Sequence, residues 1–146
     1  MFMGEFHHSL DAKGRIIIPT KFREQLGNSL VLTRGMDGCL FGYSLTEWNL
    51  LEAKLQKLPL TKRNARSFVR FFYSAAAEYE FDKQGRVNLS NVLVNYAQLT
   101  KECVIAGVGE RIEIWDAGKW EDLNQAISTN FDQLSEDLQD LLNINL

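Results

Sequence analysis

The chain has 146 residues, of which 45% are hydrophobic and 24% are charged, and its formal net charge is −3 at pH 7. This length fits one compact domain or two small ones, and the composition is that of an ordinary globular protein. No apolar run approaches the roughly 20 residues that a transmembrane helix needs, so we expect no membrane partner. The first residues have neither the basic lead nor the apolar segment of a signal peptide, which argues against export.

Charge is distributed unevenly along the chain. Residues 1–75 carry 11 Lys and Arg against 6 Asp and Glu, a net of +5, whereas residues 76–146 carry 5 against 13, a net of −8. An acidic protein with this distribution can still present a basic face to nucleic acid. Oppositely charged surfaces of neighbouring subunits could also meet, which favours self-assembly.

The first half predicts two strands, a short helix, two strands and a longer helix: residues 5–10, 15–18, 20–26, 30–33, 39–43 and 44–58. The turn between the first two strands is Asp11-Ala-Lys-Gly-Arg15, and we expect the second strand to return along the first. Pro19 fits the start of the short helix and Gly27 its end. Ser44-Leu-Thr-Glu47 has the pattern of a capping box that begins the longer helix.

The second half repeats this order, with elements at residues 78–81, 86–89, 90–98, 104–106, 111–115 and 116–127. Its turn, Asp82-Lys-Gln-Gly-Arg86, follows the first turn by 71 residues. We place the two domains at residues 5–50 and 77–120. A unit of about 45 residues is marginal alone, so we expect the halves to share a core or exchange strands.

A helix over residues 61–76 is predicted to link the two units. It has an apolar face, while Arg63, Arg66 and Arg70 recur on the other face. The basic face is either the solvated side of a linker or a ridge that contacts phosphate or another subunit. The tail, residues 129–146, is acidic and spaces its leucines helically. It could fold back on the core, dock on a neighbouring subunit or remain mobile.

The repeated turns are the candidate functional feature. Lys13 and Arg15 at the first tip, and Lys83 and Arg86 at the second, are candidate DNA contacts. Arg can donate two hydrogen bonds to a guanine edge or a phosphate, and a β-ribbon fits the major groove of B-form DNA. Either arginine could instead serve as an internal clamp of its turn.

The remaining turn residues have predicted structural roles. Asp11 and Asp82 are expected to accept hydrogen bonds from turn amides or to pair with the arginine of the same turn. Gly14 and Gly85 can take positive φ and let backbone pass close to phosphate.

Further basic residues lie near the first tip in sequence. Lys21 and Arg23 are weaker DNA-binding candidates, and with Arg34 they are basic neighbours that the second tip lacks. His7 and His8 are adjacent on a strand and point to opposite faces, so they cannot chelate one metal. One of them could lie beside Arg15 on the paired strand and touch nucleic acid, although an ordinary surface or half-buried role is favoured for both. His8 is included among the DNA-binding candidates.

No enzymatic chemistry is predicted. The sequence has no G-x-S-x-G turn and no glycine-rich phosphate loop. Cys39 and Cys103 lie in apolar stretches without C-x-x-C spacing, so we expect buried free thiols and no zinc site. We therefore predict no catalytic residues, no metal and no cofactor.

The longest motif, Phe6-His-His-Ser-Leu-Asp-Ala-Lys-Gly-Arg15 continuing through Ile-Ile-Ile-Pro-Thr-Lys-Phe-Arg23, resembles the MraZ family. Phe81-Asp-Lys-Gln-Gly-Arg86 and the stretch Phe71–Ala77 are also similar to that family. The resemblance implies an α+β protein built from two tandem SpoVT/AbrB-like swapped-hairpin units. The second copy departs at Ser90, which stands where the first has Pro19, and at Asn88, which interrupts an apolar run.

The resemblance further implies a cytoplasmic, nucleoid-associated transcription regulator. It implies a ring-shaped homo-oligomer that binds short direct repeats of double-stranded DNA at the promoter of the division and cell-wall gene cluster. The motif arginine role passes to Arg15 and Arg86, and the motif aspartate role to Asp11 and Asp82. The alternative is an antitoxin-like or scaffolding module that binds proteins, since swapped-hairpin domains also serve that purpose.

Overall fold

The computed structural model describes residues 1–145. Within that range the first unit contains β1 (Phe2–Ser9), β2 (Arg15–Ile17), α1 (Thr20–Leu26), β3 (Ser29–Arg34), β4 (Leu40–Tyr43) and α2 (Leu45–Leu55). The second contains β5 (Ala77–Glu80), β6 (Arg86–Asn88), α4 (Asn91–Tyr96), β7 (Glu102–Gly109), β8 (Ile112–Asp116) and α5 (Ala117–Ser128). Helix α3 (Arg63–Ser74) joins the units and α6 (Phe131–Leu142) follows them.

The predicted order β-β-α-β-β-α is therefore confirmed in both units, as is the α+β class with two tandem copies. Six strands form one antiparallel sheet in the order β1-β7-β8-β4-β3-β5, and β2 pairs with β6 in a separate two-stranded ribbon. Read from either edge, the sheet begins with the first strand of one unit, followed by the third and fourth strands of the other. This order gives the sheet a pseudo-twofold relation between its halves.

The two halves exchange strands, as expected for units too small to fold alone. β1 pairs with β7 of the second unit over eight residues, from Phe2 opposite Gly109 to Ser9 opposite Glu102. In return β5 pairs with β3 of the first unit. Each unit thus completes the sheet of the other.

The expectation that β2 returns along β1 was wrong. β2 pairs with β6, with Ile16 opposite Val87, and both side chains are buried. The short ribbon buries apolar residues of both units, while the long β1 obtains a full ladder on β7. Burial and backbone pairing across the two halves therefore override the local hairpin.

Apolar side chains pack on both faces of the six-stranded sheet. Leu30 and Leu32 face one cluster together with the ribbon and α1, whereas Val31 faces another that contains Trp48, Phe72 and Trp115. This alternation is the period-two pattern of a strand buried on both sides. Cys39 and Cys103 are buried and free, as predicted.

The helix caps follow the sequence closely. Ser44, Ser90 and Asp116 each accept a hydrogen bond from a backbone amide three residues on. Pro19 precedes α1 as its N-cap rather than lying inside it, and Gly27 ends the helix with a φ of 86°. α2 ends at Leu55, four residues before Pro59.

The predicted domain ranges, 5–50 and 77–120, stay predictions. The predicted linker 61–76 contains α3, and the predicted tail 129–146 contains α6, with Leu146 outside the described residues. No helix formed by residues 1–145 is long and apolar enough to cross a membrane.

Candidate nucleic-acid interface

The first turn is organised by one carboxylate. Oδ1 of Asp11 accepts hydrogen bonds from the backbone amides of Lys13 at 2.9 Å and Arg15 at 2.8 Å. Its Oδ2 accepts from Nε of Arg15 at 2.7 Å. The Gly14 amide donates to the Asp11 carbonyl at 3.0 Å, with φ of 81° at the glycine. The turn therefore fixes the arginine by its backbone and its side chain together.

The second turn has the same geometry. Oδ1 of Asp82 accepts from the amides of Gln84 and Arg86 at 2.9 Å each, and Oδ2 accepts from Nε of Arg86 at 2.8 Å. Gly85 has a φ of 77° and donates to the Asp82 carbonyl at 3.0 Å. The D-x-x-G-R spacing thus encodes one reproducible turn in which an aspartate holds the following arginine.

The β2·β6 ribbon brings the two turns together. The amide of Ile18 donates to the Gly85 carbonyl at 3.0 Å, and the amide of Leu89 donates to the Gly14 carbonyl at 2.8 Å. These two bonds are equivalent under the 71-residue offset of the repeat. Each turn is therefore held by the strand that belongs to the other unit.

As a result the two motif arginines share one site. Nη1 of Arg86 lies 3.9 Å from Oδ2 of Asp11, the same oxygen that accepts from Arg15. The side chains of Arg15 and Arg86 are 32% and 26% exposed, so neither is sealed inside the protein. Within residues 1–145 no hydrogen bond is formed to the terminal nitrogens of either guanidinium, which leaves them able to donate to a ligand.

The hydrogen bonds of each turn favour the ionised form of its aspartate and so lower the pKa of that carboxyl. Hydrogen bonding from the Arg15 amide, followed by the other turn donors and the guanidinium charge, keeps the pKa of Asp11 below its ordinary value. The amide and guanidinium of Arg86 lower the pKa of Asp82 in the same way. Each Asp–Arg pair is internally neutral, so the exposed Lys13 and Lys83 supply surplus positive charge.

The position of Arg23 contradicts the prediction that the second tip lacks basic neighbours. It projects from α1, where its Nε donates to the Ile18 carbonyl at 2.8 Å and its Nη2 to Thr20 at 2.9 Å. Its guanidinium lies directly against Gly85, in the turn of the other unit. The second tip therefore has a basic neighbour, contributed by the first unit.

The other basic candidates occupy different environments. Lys21 is exposed on the same helix. Arg34, expected beside the first tip, instead packs its guanidinium 3.9 Å from the ring centroid of Phe71. It also donates to the Phe71 carbonyl at 2.8 Å.

The alternative that placed a histidine beside Arg15 was wrong, whereas the favoured surface or half-buried position is what the structure shows. His8 lies on β1 opposite Cys103, not on a strand paired with Arg15. It is half-buried, and burial followed by the charge of His7 lowers its pKa. His7 points to the other face, and its Nε2 lies 2.7 Å from Oε2 of Glu5.

Sequence reasoning missed the role of Asn88. It pairs with Arg15 in the ribbon, and its Oδ1 borders Gly14. The signal was present in the alternation Arg86-Val87-Asn88, which buries the valine and leaves its neighbours toward solvent. The two turns, Arg23 and Asn88 together form a ribbon surface with donors and positive charge. Among residues 1–145 no group of three or more His, Cys, Asp or Glu is placed to hold a metal ion.

Comparison with known proteins identifies consistent relatives. A family model described as "MraZ protein, putative antitoxin-like" matches twice, at residues 1–71 and 72–142. The transcriptional regulator MraZ of Lactobacillus gasseri is 60% identical over 97% of this chain and 99% of its own length. The protein of the same name in Lactobacillus delbrueckii subsp. bulgaricus is 62% identical over 97% of this chain and 99% of its own length. That of Ligilactobacillus salivarius is 61% identical over 96% of this chain and 98% of its own length.

Proposed function

This chain belongs to the MraZ family of transcriptional regulators, and we propose that it acts by binding double-stranded DNA through the ribbon surface formed by its two D-x-x-x-R turns. We further propose that several subunits of a ring-shaped homo-oligomer engage short direct repeats. The target would be the promoter of the division and cell-wall gene cluster, which would place the protein on the nucleoid in the cytoplasm.

The observation that carries this proposal is the convergence of Arg15 and Arg86 on Asp11. Two guanidinium groups held at Nε, with terminal nitrogens that make no hydrogen bond within residues 1–145, are pre-organised donors. Pre-organisation reduces the rotamer entropy lost on binding, which is large for a free arginine. Such a pair suits a phosphate or a guanine edge, because both accept two parallel hydrogen bonds from one arginine.

Local charge also supports a polyanionic ligand. The candidate residues of the site comprise six cations and two carboxylates: Lys13, Arg15, Lys21, Arg23, Lys83 and Arg86 against Asp11 and Asp82. These eight residues together carry a net charge of +4, although the whole chain carries −3. Long-range attraction to DNA depends on such a local field more than on the total charge.

The test is a double variant, Arg15→Ala with Arg86→Ala, measured by fluorescence anisotropy on DNA from upstream of the gene. Removing each arginine costs about 1–3 kcal/mol of binding free energy, so we expect the Kd to rise at least tenfold. The slope of log affinity against log salt should fall by about one for each phosphate that the variant no longer binds. Lys54→Ala with Lys57→Ala, on and just after α2, removes the same charge elsewhere and serves as the control.

The mass of each variant is measured in parallel, so that a failure to assemble is not mistaken for a failure to bind DNA. The proposal fails if the arginine variant keeps the mass of the parent and binds the DNA as tightly. It also fails if the lysine control weakens binding to the same extent, because the effect would then be one of net charge.

A protein-binding, antitoxin-like role is the second candidate, favoured by the exposed apolar side chains of α6. Gel-shift on upstream DNA separates the two functions, because a purely protein-binding module would leave that DNA unshifted.

A further inference from the structure

Helix α6 presents an apolar stripe that no residue in the range 1–145 covers. Its large apolar side chains recur every three or four residues, and no residue of the helix is buried. The exposed fractions are 62% for Phe131, 38% for Leu134, 48% for Leu138, 76% for Leu141 and 60% for Leu142. A contiguous apolar stripe of this kind marks an interaction surface.

A second exposed apolar surface lies beside a helix that carries positive charge. An aromatic groove of about 260 Å³ opens between α3, the β3–β4 loop and α4. Arg34, Met36, Phe68, Phe71 and Tyr96 line it, and Met36 and Phe71 are 64% and 51% exposed.

The walls of this aromatic groove are fixed before anything binds. The Arg34 guanidinium stacks on Phe71 and donates to its carbonyl, while the Tyr96 hydroxyl donates to the Gly35 carbonyl at 2.6 Å. The rings of Phe71 and Tyr96 pack edge to face at 5.7 Å. A pre-formed apolar groove with few polar groups is the form that accepts the apolar side of a helix.

The two helices that bear these surfaces carry opposite charge. α3, which forms one wall of the groove, carries Arg63, Arg66 and Arg70 and no acidic residue. α6 carries four acidic residues and no basic one: Asp132, Glu136, Asp137 and Asp140. Complementary charge directs which apolar surfaces meet and in which orientation.

We propose that α6 of one copy docks its apolar stripe into the aromatic groove of a second copy, and that this contact closes the ring. The inference rests on the proposed function only in taking the ring as the working assembly. The contact joins two different surfaces, so each subunit offers one helix and one groove. Head-to-tail contacts of this kind generate closed rings when the rotation between subunits permits.

Two variants remove one partner each. Leu138→Asp places a charge in the stripe of α6, and Met36→Asp with Phe68→Asp places repelling charge in the groove. We expect each alone to fall from the multi-subunit mass to the protomer mass of 16.7 kDa. Leu50→Asp, on α2 and 55% exposed, is the matched control and should keep the parent mass. Circular dichroism shows whether each variant retains its helices and strands.

Mixing the two variants makes the test specific. The helix-defective protein still has its groove, and the groove-defective protein still has its helix. An equimolar mixture should therefore form a one-to-one dimer, at about twice the protomer mass, and no larger species. A second pair of variants reverses charge and should disturb folding less. One protein carries Arg63→Glu, Arg66→Glu and Arg70→Glu on α3, and the other carries Asp132→Lys and Asp137→Lys on α6.

All measurements are made by light scattering without DNA, so they do not depend on the ribbon surface. A parent protein that is monomeric overturns the inference, since α6 would then dock within its own chain or nowhere. Variants that keep the parent mass overturn it as well, and so does a mixture that stays at the protomer mass. In those cases DNA binding by Arg15 and Arg86 could still hold, whereas loss of DNA binding alone leaves this contact intact.

Discussion

A single carboxylate decides what each motif arginine can do. Asp11 uses three hydrogen bonds to close its turn, one of which engages Nε of Arg15. The structural and ligand-binding roles of the arginine therefore do not compete, because they use different nitrogens. The sequence left these two roles as alternatives, and the geometry allows both in one side chain.

The same hydrogen bonds make stability depend on pH. Bonding from the Arg15 and Arg86 amides lowers the pKa of Asp11 and Asp82 below the ordinary value of 3.8. The folded state therefore favours the ionised form, so this stabilisation is present above pH 3.8 and is lost as pH falls through the lower folded pKa. We expect Asp11→Asn with Asp82→Asn to lower the free energy of unfolding near neutral pH.

Urea denaturation of the parent and this aspartate variant across the acidic range measures the difference. The gap between the two proteins should narrow below pH 3.8, because the parent then loses the same anions. A gap that stays constant through this range would show that the carboxylate charge is irrelevant to the turns.

Alanine variants at Gly85 and Gly27 distinguish the effect of backbone strain from the effect of contact with Arg23. Both have positive φ, at 77° and 86°, so alanine at either position costs about 1–3 kcal/mol. A Cβ at Gly27 meets nothing within 4 Å, whereas at Gly85 it would lie 2.6 Å from Nε of Arg23. We expect Gly27→Ala to lower stability and leave DNA affinity unchanged, while Gly85→Ala lowers both. Equal DNA affinities of the two variants would show that Arg23 has no part in binding.

At the scale of elements, local patterns predicted which segments form strands and helices but not which strands pair. Caps, turns and periodicity depend on residues within a few positions, as at Ser44, Ser90 and Asp116. Pairing depends on where buried faces find partners tens of residues away. The turn at Asp11–Gly14 therefore predicted a hairpin, although Ile16 of β2 is buried opposite Val87 of β6.

The exchange of β1 requires a residue without a side chain at one position. Gly107 lies opposite Gly4, and a Cβ there would come within 2.5 Å of the amide nitrogen of Met3 and 2.6 Å of the Phe2 carbonyl carbon. Gly107→Ala should displace β1 and cost about 1–3 kcal/mol, as overpacking in a core does. At Gly118, in helix α5, a Cβ would lie 3.3 Å from Oδ2 of the capping Asp116, so Gly118→Ala should change stability by no more than about 1 kcal/mol.

Thermal unfolding monitored by circular dichroism compares these two glycine variants. Because each unit completes the sheet of the other, we expect the Gly107→Ala protein to unfold in one cooperative transition at lower temperature. Two separate transitions would show that the units are independent domains, contrary to the strand exchange.

At the scale of the whole molecule, the candidate site could be only half predicted. The residues Arg15 and Arg86 were identified from the repeat, because the same spacing occurs twice. Their convergence was not, since it follows from the β2·β6 ribbon, and neither was the placement of Arg23 against Gly85. One protomer therefore offers one composite surface rather than two separate tips.

Under the proposed function, one composite surface per protomer would leave the reading of repeated DNA to the assembly. Linking binding modules raises apparent affinity by about 10²–10⁴ when their spacing matches the spacing of the sites. We expect the parent protein to prefer DNA with two or more repeats over a single repeat by a factor in that range. Leu138→Asp, which places a charge in the apolar stripe of α6, should bind a single repeat as the parent does and lose the preference for several. Anisotropy titrations on one-repeat and multi-repeat DNA of equal length measure the ratio, and a preference that survives dissociation would place recognition of all repeats within one protomer.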